Sequence, residues 1–107
     1  MVIVYLIERE RLRHLEPLDA GAIHKKLADA GLPPSSDWGG VICDDEKVLI
    51  VYYTPPAPPK RIADALGIEV SDLTRLKEFE DKGKGVYKLY EGRTKSGTYA
   101  SIEITKE

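Results

Sequence analysis

Some stretches of the chain are apolar at every position and others at only one position in three or four, and this contrast divides it into elements. Residues 2 to 8 run Val-Ile-Val-Tyr-Leu-Ile-Glu, apolar at both parities and rich in β-branched and aromatic types. That pattern predicts a strand buried on both faces. After a charged exit from Glu8 to His14, Pro17 and Asp19 mark a helix start. Ala20, Ile23, Leu27 and Ala30 then form one apolar stripe, and Gly31 supplies the stop. Leu32 to Asp37 reads as loop. Residues 39 to 43 and 47 to 53 read as two strands joined by the acidic turn Asp44-Asp45-Glu46, hence a hairpin. The second of these is again apolar at both parities, Val48, Ile50 and Tyr52 against Leu49, Val51 and Tyr53, so it is expected to be central.

Thr54 to Pro59 is an extended proline-rich connector whose last proline suits the first turn of a helix. Ile62, Ala63 and Leu66 mark that helix, ended by Gly67. Ser71 caps a second helix in which Leu73, Leu76 and Phe79 face inward, broken at Lys82-Gly83-Lys84-Gly85. The chain closes with two alternating strands, Val86 to Glu91 and Thr98 to Thr105. Pairing Tyr90 with Tyr99, Lys88 with Ser101 and Val86 with Glu103 gathers polar groups on one face. It sets Leu89 against Ala100 and Tyr87 against Ile102 on the other, with Arg93 to Ser96 as the loop.

The order β-α-β-β-α(α)-β-β predicts a single α+β domain over residues 1 to 107. It is the ferredoxin-like unit with an additional C-terminal strand, its helices on one face of an antiparallel or mixed sheet. A chain of 107 residues can hold one core without staples. In this architecture the first and third strands are the central pair, which matches the two strands apolar on both faces. Helices on one face leave apolar side chains uncovered on the other, and a second copy of the chain is the simplest cover. A homodimer with Ile50 and Tyr52 at its interface is therefore expected.

Composition adds a source. Asn and Gln are absent and 32% of residues are charged. These are two marks of hyperthermophile proteins, so an archaeal, cytoplasmic origin is expected. The same absence removes the usual bidentate reader of adenine and a common orienting group in active sites. The formal charge of −2 gives no global attraction to nucleic acid or anionic membrane. It is unevenly placed: residues 82 to 107 hold six basic groups (Lys82, Lys84, Lys88, Arg93, Lys95, Lys106) against three acidic ones (Glu91, Glu103, Glu107), a net +3. The apolar opening is too short for a membrane span and lacks the basic leader of a signal peptide. The single Cys43 excludes an internal disulfide framework and reads as a packed thiol, with a bridge between two chains as the alternative.

Motifs for chemistry are absent: there is no phosphate-binding Gly-rich loop, no Cys-x-x-Cys and no His-Glu-x-x-His. His14 and His24 read as solvated side chains, and Asp44, Asp45 and Glu46 as a polar turn rather than a cation site. No catalytic residue, metal or cofactor is expected. The suggestive constellation is the C-terminal hairpin, where Lys88, Tyr90 and Tyr99 share a predicted face and Arg93 and Lys95 stand at its tip. Aromatic rings among cations suit single-stranded DNA or RNA, because bases stack on the rings while cations track the phosphates. A Tyr-Tyr pair also stabilises a hairpin by itself. The expected function is a small non-catalytic binding module with single-stranded nucleic acid as first candidate ligand.

Two alternatives stand beside it. A small-molecule site or an enzyme site could form at the dimer interface from Trp38, Asp44, Asp45 and Tyr52 or Tyr53. In addition, Ile62-Ala63-Asp64-Ala65-Leu66-Gly67-Ile68 resembles the Ile-Ala-x-x-Leu-Gly-Ile run of helix-turn-helix repressors. The resemblance covers roughly twenty residues. It implies a winged-helix-like DNA-binding regulator with Ser71 to Lys82 as recognition helix, although Asp72, Glu78, Glu80 and Asp81 there would repel phosphates.

Overall fold

The computed structural model describes residues 2–34, 40–81 and 87–105. Among these the chain is α+β, with helical segments and two antiparallel sheets. The N-terminal sheet has the strand order β2-β3-β1-β4, formed by β1 (Ile3–Glu8), β2 (Val41–Cys43), β3 (Lys47–Tyr52) and β4 (Thr74–Arg75). The C-terminal sheet has the order β5-β6-β7, with β5 (Lys77–Asp81), β6 (Tyr87–Arg93) and β7 (Tyr99–Thr105). Two α-helices, α1 (Ala20–Asp29) and α2 (Pro59–Leu66), join a 3-10 segment, Arg9–Leu15, against the N-terminal sheet.

Among the described residues up to Leu66, β1, α1, the β2–β3 hairpin and α2 form where the pattern predicts them, while the charged exit after β1 winds into the 3-10 segment Arg9–Leu15. The Asp19 carboxylate accepts the Ala22 N–H at 2.7 Å and caps α1, and its stripe buries Ile23 and Leu27 completely. Asp44 folds its turn by accepting the Glu46 and Lys47 amides, each at 2.8 Å, so β2 and β3 form the expected hairpin. Pro59 opens α2, and Gly67 closes it in the left-handed conformation. The strands β1 and β3 are the central pair, in the register Ile3↔Tyr52, Tyr5↔Ile50 and Ile7↔Val48.

Both parities of these strands are buried because each face has its own cover. Ile3, Tyr5, Ile7, Val48, Ile50 and Tyr52 pack beneath the helices with Leu12, Ile23, Leu27, Ile62 and Leu66. The Tyr5 and Tyr52 rings meet edge to face, with centroids 6.5 Å apart, and the Tyr52 hydroxyl donates to the Leu32 carbonyl at 2.8 Å. On the other face Val4, Leu6, Leu49 and Val51 pack against Leu76, Tyr90 and Ala100. A fully buried Leu or Ile stabilises by about 1.5–3 kcal/mol relative to an exposed one. Both faces therefore contribute on that scale.

This arrangement corrects three expectations. First, the cover on the second face is the chain's own C-terminal sheet, so helices lie on one side of the N-terminal sheet and strands on the other. The C-terminal strands are a separate sheet rather than an addition to the first.

Second, residues 71 to 81 are not a helix. A short 3-10 turn, Val70–Asp72, is closed reciprocally by Glu69 and Asp72 rather than by Ser71. Leu73 is then extended, with φ −90° and ψ 114°. Leu73, Leu76 and Phe79 have helical spacing, but beyond Leu76 only Phe79 is apolar and no stripe continues. Pairing with β1 and β6 offers those backbone groups better partners, beginning with the Leu76 amide on the Val4 carbonyl at 2.9 Å. The recognition helix of the winged-helix alternative is thus replaced by strands.

Third, the last hairpin pairs Tyr90 with Ile102 and Arg93 with Tyr99, three residues from the expected register. The reason lies in the turn. Gly97 adopts φ 95°, its amide donates to the Thr94 carbonyl at 3.0 Å, and the Thr98 amide reaches the Thr94 hydroxyl at 3.1 Å. A residue with a side chain rarely adopts that conformation, so Gly97 fixes the turn at residues 94 to 98, whereas the expected pairing put it at residues 93 to 96. A slip by an odd number exchanges the faces of one strand relative to the other. The predicted Val86 pairing, the break at residues 82 to 85 and the strand start at Gly39 lie outside the described residues.

Candidate functional site

The C-terminal sheet has two unlike faces. Its inner face, set by the rows Glu78↔Tyr90↔Ile102, Glu80↔Lys88↔Ile104 and Gly92↔Ala100, packs on the N-terminal sheet. Gly92 sits close under Leu76 there, since a Cβ would meet the Leu76 side chain at 3.0 Å and displace it. Tyr90 is 2% exposed, and its hydroxyl donates to Glu78 Oε1 at 2.6 Å. Lys88 Nζ approaches the other oxygen of Glu78 at 3.3 Å. Burial, reinforced by the Glu78 carboxylate, pushes the Tyr90 phenol above its usual range. The Tyr90 and Lys88 hydrogen bonds hold Glu78 below the carboxylate range.

The outer face carries Lys77, Phe79, Leu89, Glu91, Arg93, Tyr99, Ser101 and Glu103, by the rows Phe79↔Leu89↔Glu103, Lys77↔Glu91↔Ser101 and Arg93↔Tyr99. Phe79 is 45% and Tyr99 44% exposed. The Arg93 guanidinium lies over the Tyr99 ring, 4.9 Å from its centroid, and the Tyr99 hydroxyl donates to Glu91 Oε2 at 2.8 Å. Strand geometry separates Phe79 and Tyr99 by about 13 Å along the strands and about 10 Å across them. Both rings open to solvent on one surface, while Lys95 stands exposed in the turn beyond.

The turn is clasped to the rest of the molecule. Ser96 donates to the Glu8 carboxylate, and hydrogen bonds from Ser96 and Thr94 hold that carboxyl below its usual range. Beside them Arg11 Nε pairs with Asp72 Oδ1 at 3.6 Å around a polar cleft of about 80 Å³. A larger groove, of about 530 Å³, runs beside β5 and is lined by Val2, Arg75, Leu76, Lys77, Glu78, Phe79 and Tyr90.

Of the residues expected to hold nucleic acid, Arg93 and Tyr99 come together on the outer face, while Lys95 is exposed in the turn and lines the polar cleft with Glu8, Arg11 and Asp72. Tyr90 and Lys88 lie on the inner face, Tyr90 in the core and Lys88 paired with Glu78. Ile50 and Tyr52, expected at a dimer interface, are 0% and 1% exposed beneath the helices of their own chain. In the alternative small-molecule site, Trp38 lies outside the described residues. Asp44 is engaged by its turn amides and by Lys47 at 3.2 Å, and those amides depress its carboxyl. His14 is tied to the fold, its Nε2 donating to the Leu66 carbonyl at 2.8 Å. Cys43 is half-buried at the core edge. Burial raises its thiol, although Arg9 Nη1 donates to its sulfur at 3.2 Å. Phe79 escaped the sequence reading because helical spacing placed it inward. The alternation Glu78-Phe79-Glu80 and the turn signal at Gly97 were the cues that locate it.

Among the described residues no helix is long and apolar enough to cross a membrane, and no group of three His, Cys, Asp or Glu could hold a metal ion. No family model, no curated protein and no solved structure matches the chain.

Proposed function

We propose that the protein is a small non-catalytic binding module, acting in the cytoplasm of a hyperthermophile, whose contact surface is the outer face of the C-terminal sheet. Single-stranded nucleic acid is its first candidate ligand. The observation that carries this reading is the exposure of Phe79 and Tyr99 on one sheet face, with Arg93 over the Tyr99 ring and Lys95 exposed in the adjoining turn. Rings in that setting stack bases, and the cations follow the phosphates. The strand order β2-β3-β1-β4 supports treating the first 75 residues as a ferredoxin-like unit with a shortened fourth strand, which serves as the scaffold for this sheet.

Fluorescence anisotropy with a labelled single-stranded oligonucleotide tests the reading. Binding should weaken as salt rises, Tyr99→Ala should weaken it about tenfold or more, and Tyr90 should matter only through stability. No binding by the unmodified protein at about 100 μM in low salt retires nucleic acid as the ligand. The hyperthermophile assignment is checked separately by calorimetry, with melting expected above about 90 °C.

A second reading rests on the groove beside β5. Its apolar floor and the cations Arg75 and Lys77 suit an amphipathic small molecule bearing an acid group, because Glu78 is already engaged by Tyr90 and Lys88. Such a ligand should bind nearly unchanged at high salt, since burial of its apolar part supplies most of the affinity.

A further inference from the structure

The two sheets have four edge strands, and three of them are protected in ways that hinder pairing with another chain. β2 has 3 residues and β4 has 2, too short to template a partner. β5 has 5 residues, four of them charged (Lys77, Glu78, Glu80, Asp81). Short edges and charge-laden edges are the usual defences against edge-to-edge association. β7 has neither. It runs Tyr-Ala-Ser-Ile-Glu-Ile-Thr over 7 residues with one charge and no Pro or Gly, and among the described residues it pairs only with β6. High β propensity, low charge and an unbroken edge are the composition that invites strand addition.

The structure assigns β7 as the docking edge for a second copy of the chain, paired antiparallel about a two-fold axis at Ile102. The sequence is self-complementary in that register. Ser101 falls opposite Glu103 of the second copy, Ala100 opposite its Ile104, and Ile102 opposite its counterpart. No like charges meet, and a small residue faces a large one on the inner side. Ile102 and Ile104 are only partly buried at the margin of the inner core, and an added strand extends the apolar row that covers them. The product is a continuous six-stranded sheet that places two outer faces side by side. Homodimerisation then uses an edge rather than the buried positions Ile50 and Tyr52.

Light scattering on the full chain at about 100 μM, together with amide exchange, tests this, and strand docking predicts twice the monomer mass. Ser101→Lys places a cation opposite Glu103 of the second copy and beside Glu91 of its own β6, so dimerisation should persist or tighten. Ser101→Lys combined with Glu103→Lys sets Lys against Lys twice across the axis, and the mass should fall to that of the monomer. Circular dichroism confirms that the double variant is folded. Amides of β7 should also exchange faster on dilution of the unmodified protein. A monomeric unmodified protein overturns the assignment, as does a folded double variant that remains dimeric.

Discussion

The two faces of the C-terminal sheet are built from the same three strands and differ in almost every physical respect. Tyr90 and Tyr99 show the contrast most plainly. Tyr90 is sealed between the sheets with its hydroxyl on Glu78, whereas Tyr99 lies open with Arg93 over its ring and Glu91 on its hydroxyl. Identical residues serve opposite ends, one closing the fold and the other presenting a surface. What separates them is strand parity, and parity is fixed here by the hairpin turn.

The contrast is broken most directly by truncating each tyrosine in turn. Tyr90→Ala should lose about 3–5 kcal/mol in chemical denaturation, as for other buried aromatics. Tyr99→Ala should lose about 1 kcal/mol or less, the loss of one exposed cation–π contact. Equal losses would show that the faces are not distinct in the way described. Gly92→Val comes next: its side chain would crowd Leu76, and the overpacking should cost about 1–3 kcal/mol, while Ser101→Val on the outer face should be nearly neutral. A smaller effect is expected for Tyr90→Phe, which keeps the ring and deletes one hydrogen bond, for a loss of about 0.5–1.5 kcal/mol. The same variant should move Glu78 upward toward its usual value, as read by carboxyl NMR titration.

The smallest effect concerns acid. Glu8 and Glu78 are both held below the ordinary value of 4.5 in the folded protein. A carboxyl depressed on folding contributes stability above its unfolded pKa and loses it as pH falls through its lower folded value. Stability should therefore decline below about pH 4.5, and the double variant Glu8→Gln, Glu78→Gln should flatten the decline without changing the neutral-pH fold. Solvent screening at both sites keeps the effect modest. An unchanged acid limb in the variant would assign the decline to other carboxylates.

Legibility in the sequence followed the strength of local signals. The first helix was legible because Asp19 and Gly31 bracket a stripe with one period. The second was legible for the same reason, with Pro59 and Gly67 as brackets. Residues 71 to 81 were not, because Leu73 and Leu76 fit a helix or a turn-then-strand equally well, and only pairing with β1 and β6 decides. In the candidate site, Arg93, Lys95 and Tyr99 were legible as a basic, aromatic hairpin end. Phe79 shares helical spacing with Leu73 and Leu76, which masks its strand, and only the observed register turns Tyr90 inward. The run Tyr87-Lys88-Leu89-Tyr90 carries apolar residues at both parities, so its pattern does not choose a face.

The sequence by itself determined the α+β class, the central place of the first and third strands and the caps of both helices. Each of these rests on interactions within a few residues or on burial written into both parities of a strand. Tertiary structure alone decided that the second face of the N-terminal sheet is covered by the chain's own C-terminal strands, and which tyrosine is core and which is surface. Those outcomes depend on associations between residues far apart in the chain, such as the cluster that holds Leu6 with Tyr90, and on a register set by the Thr94 to Thr98 turn. Local pattern constrains such contacts only weakly.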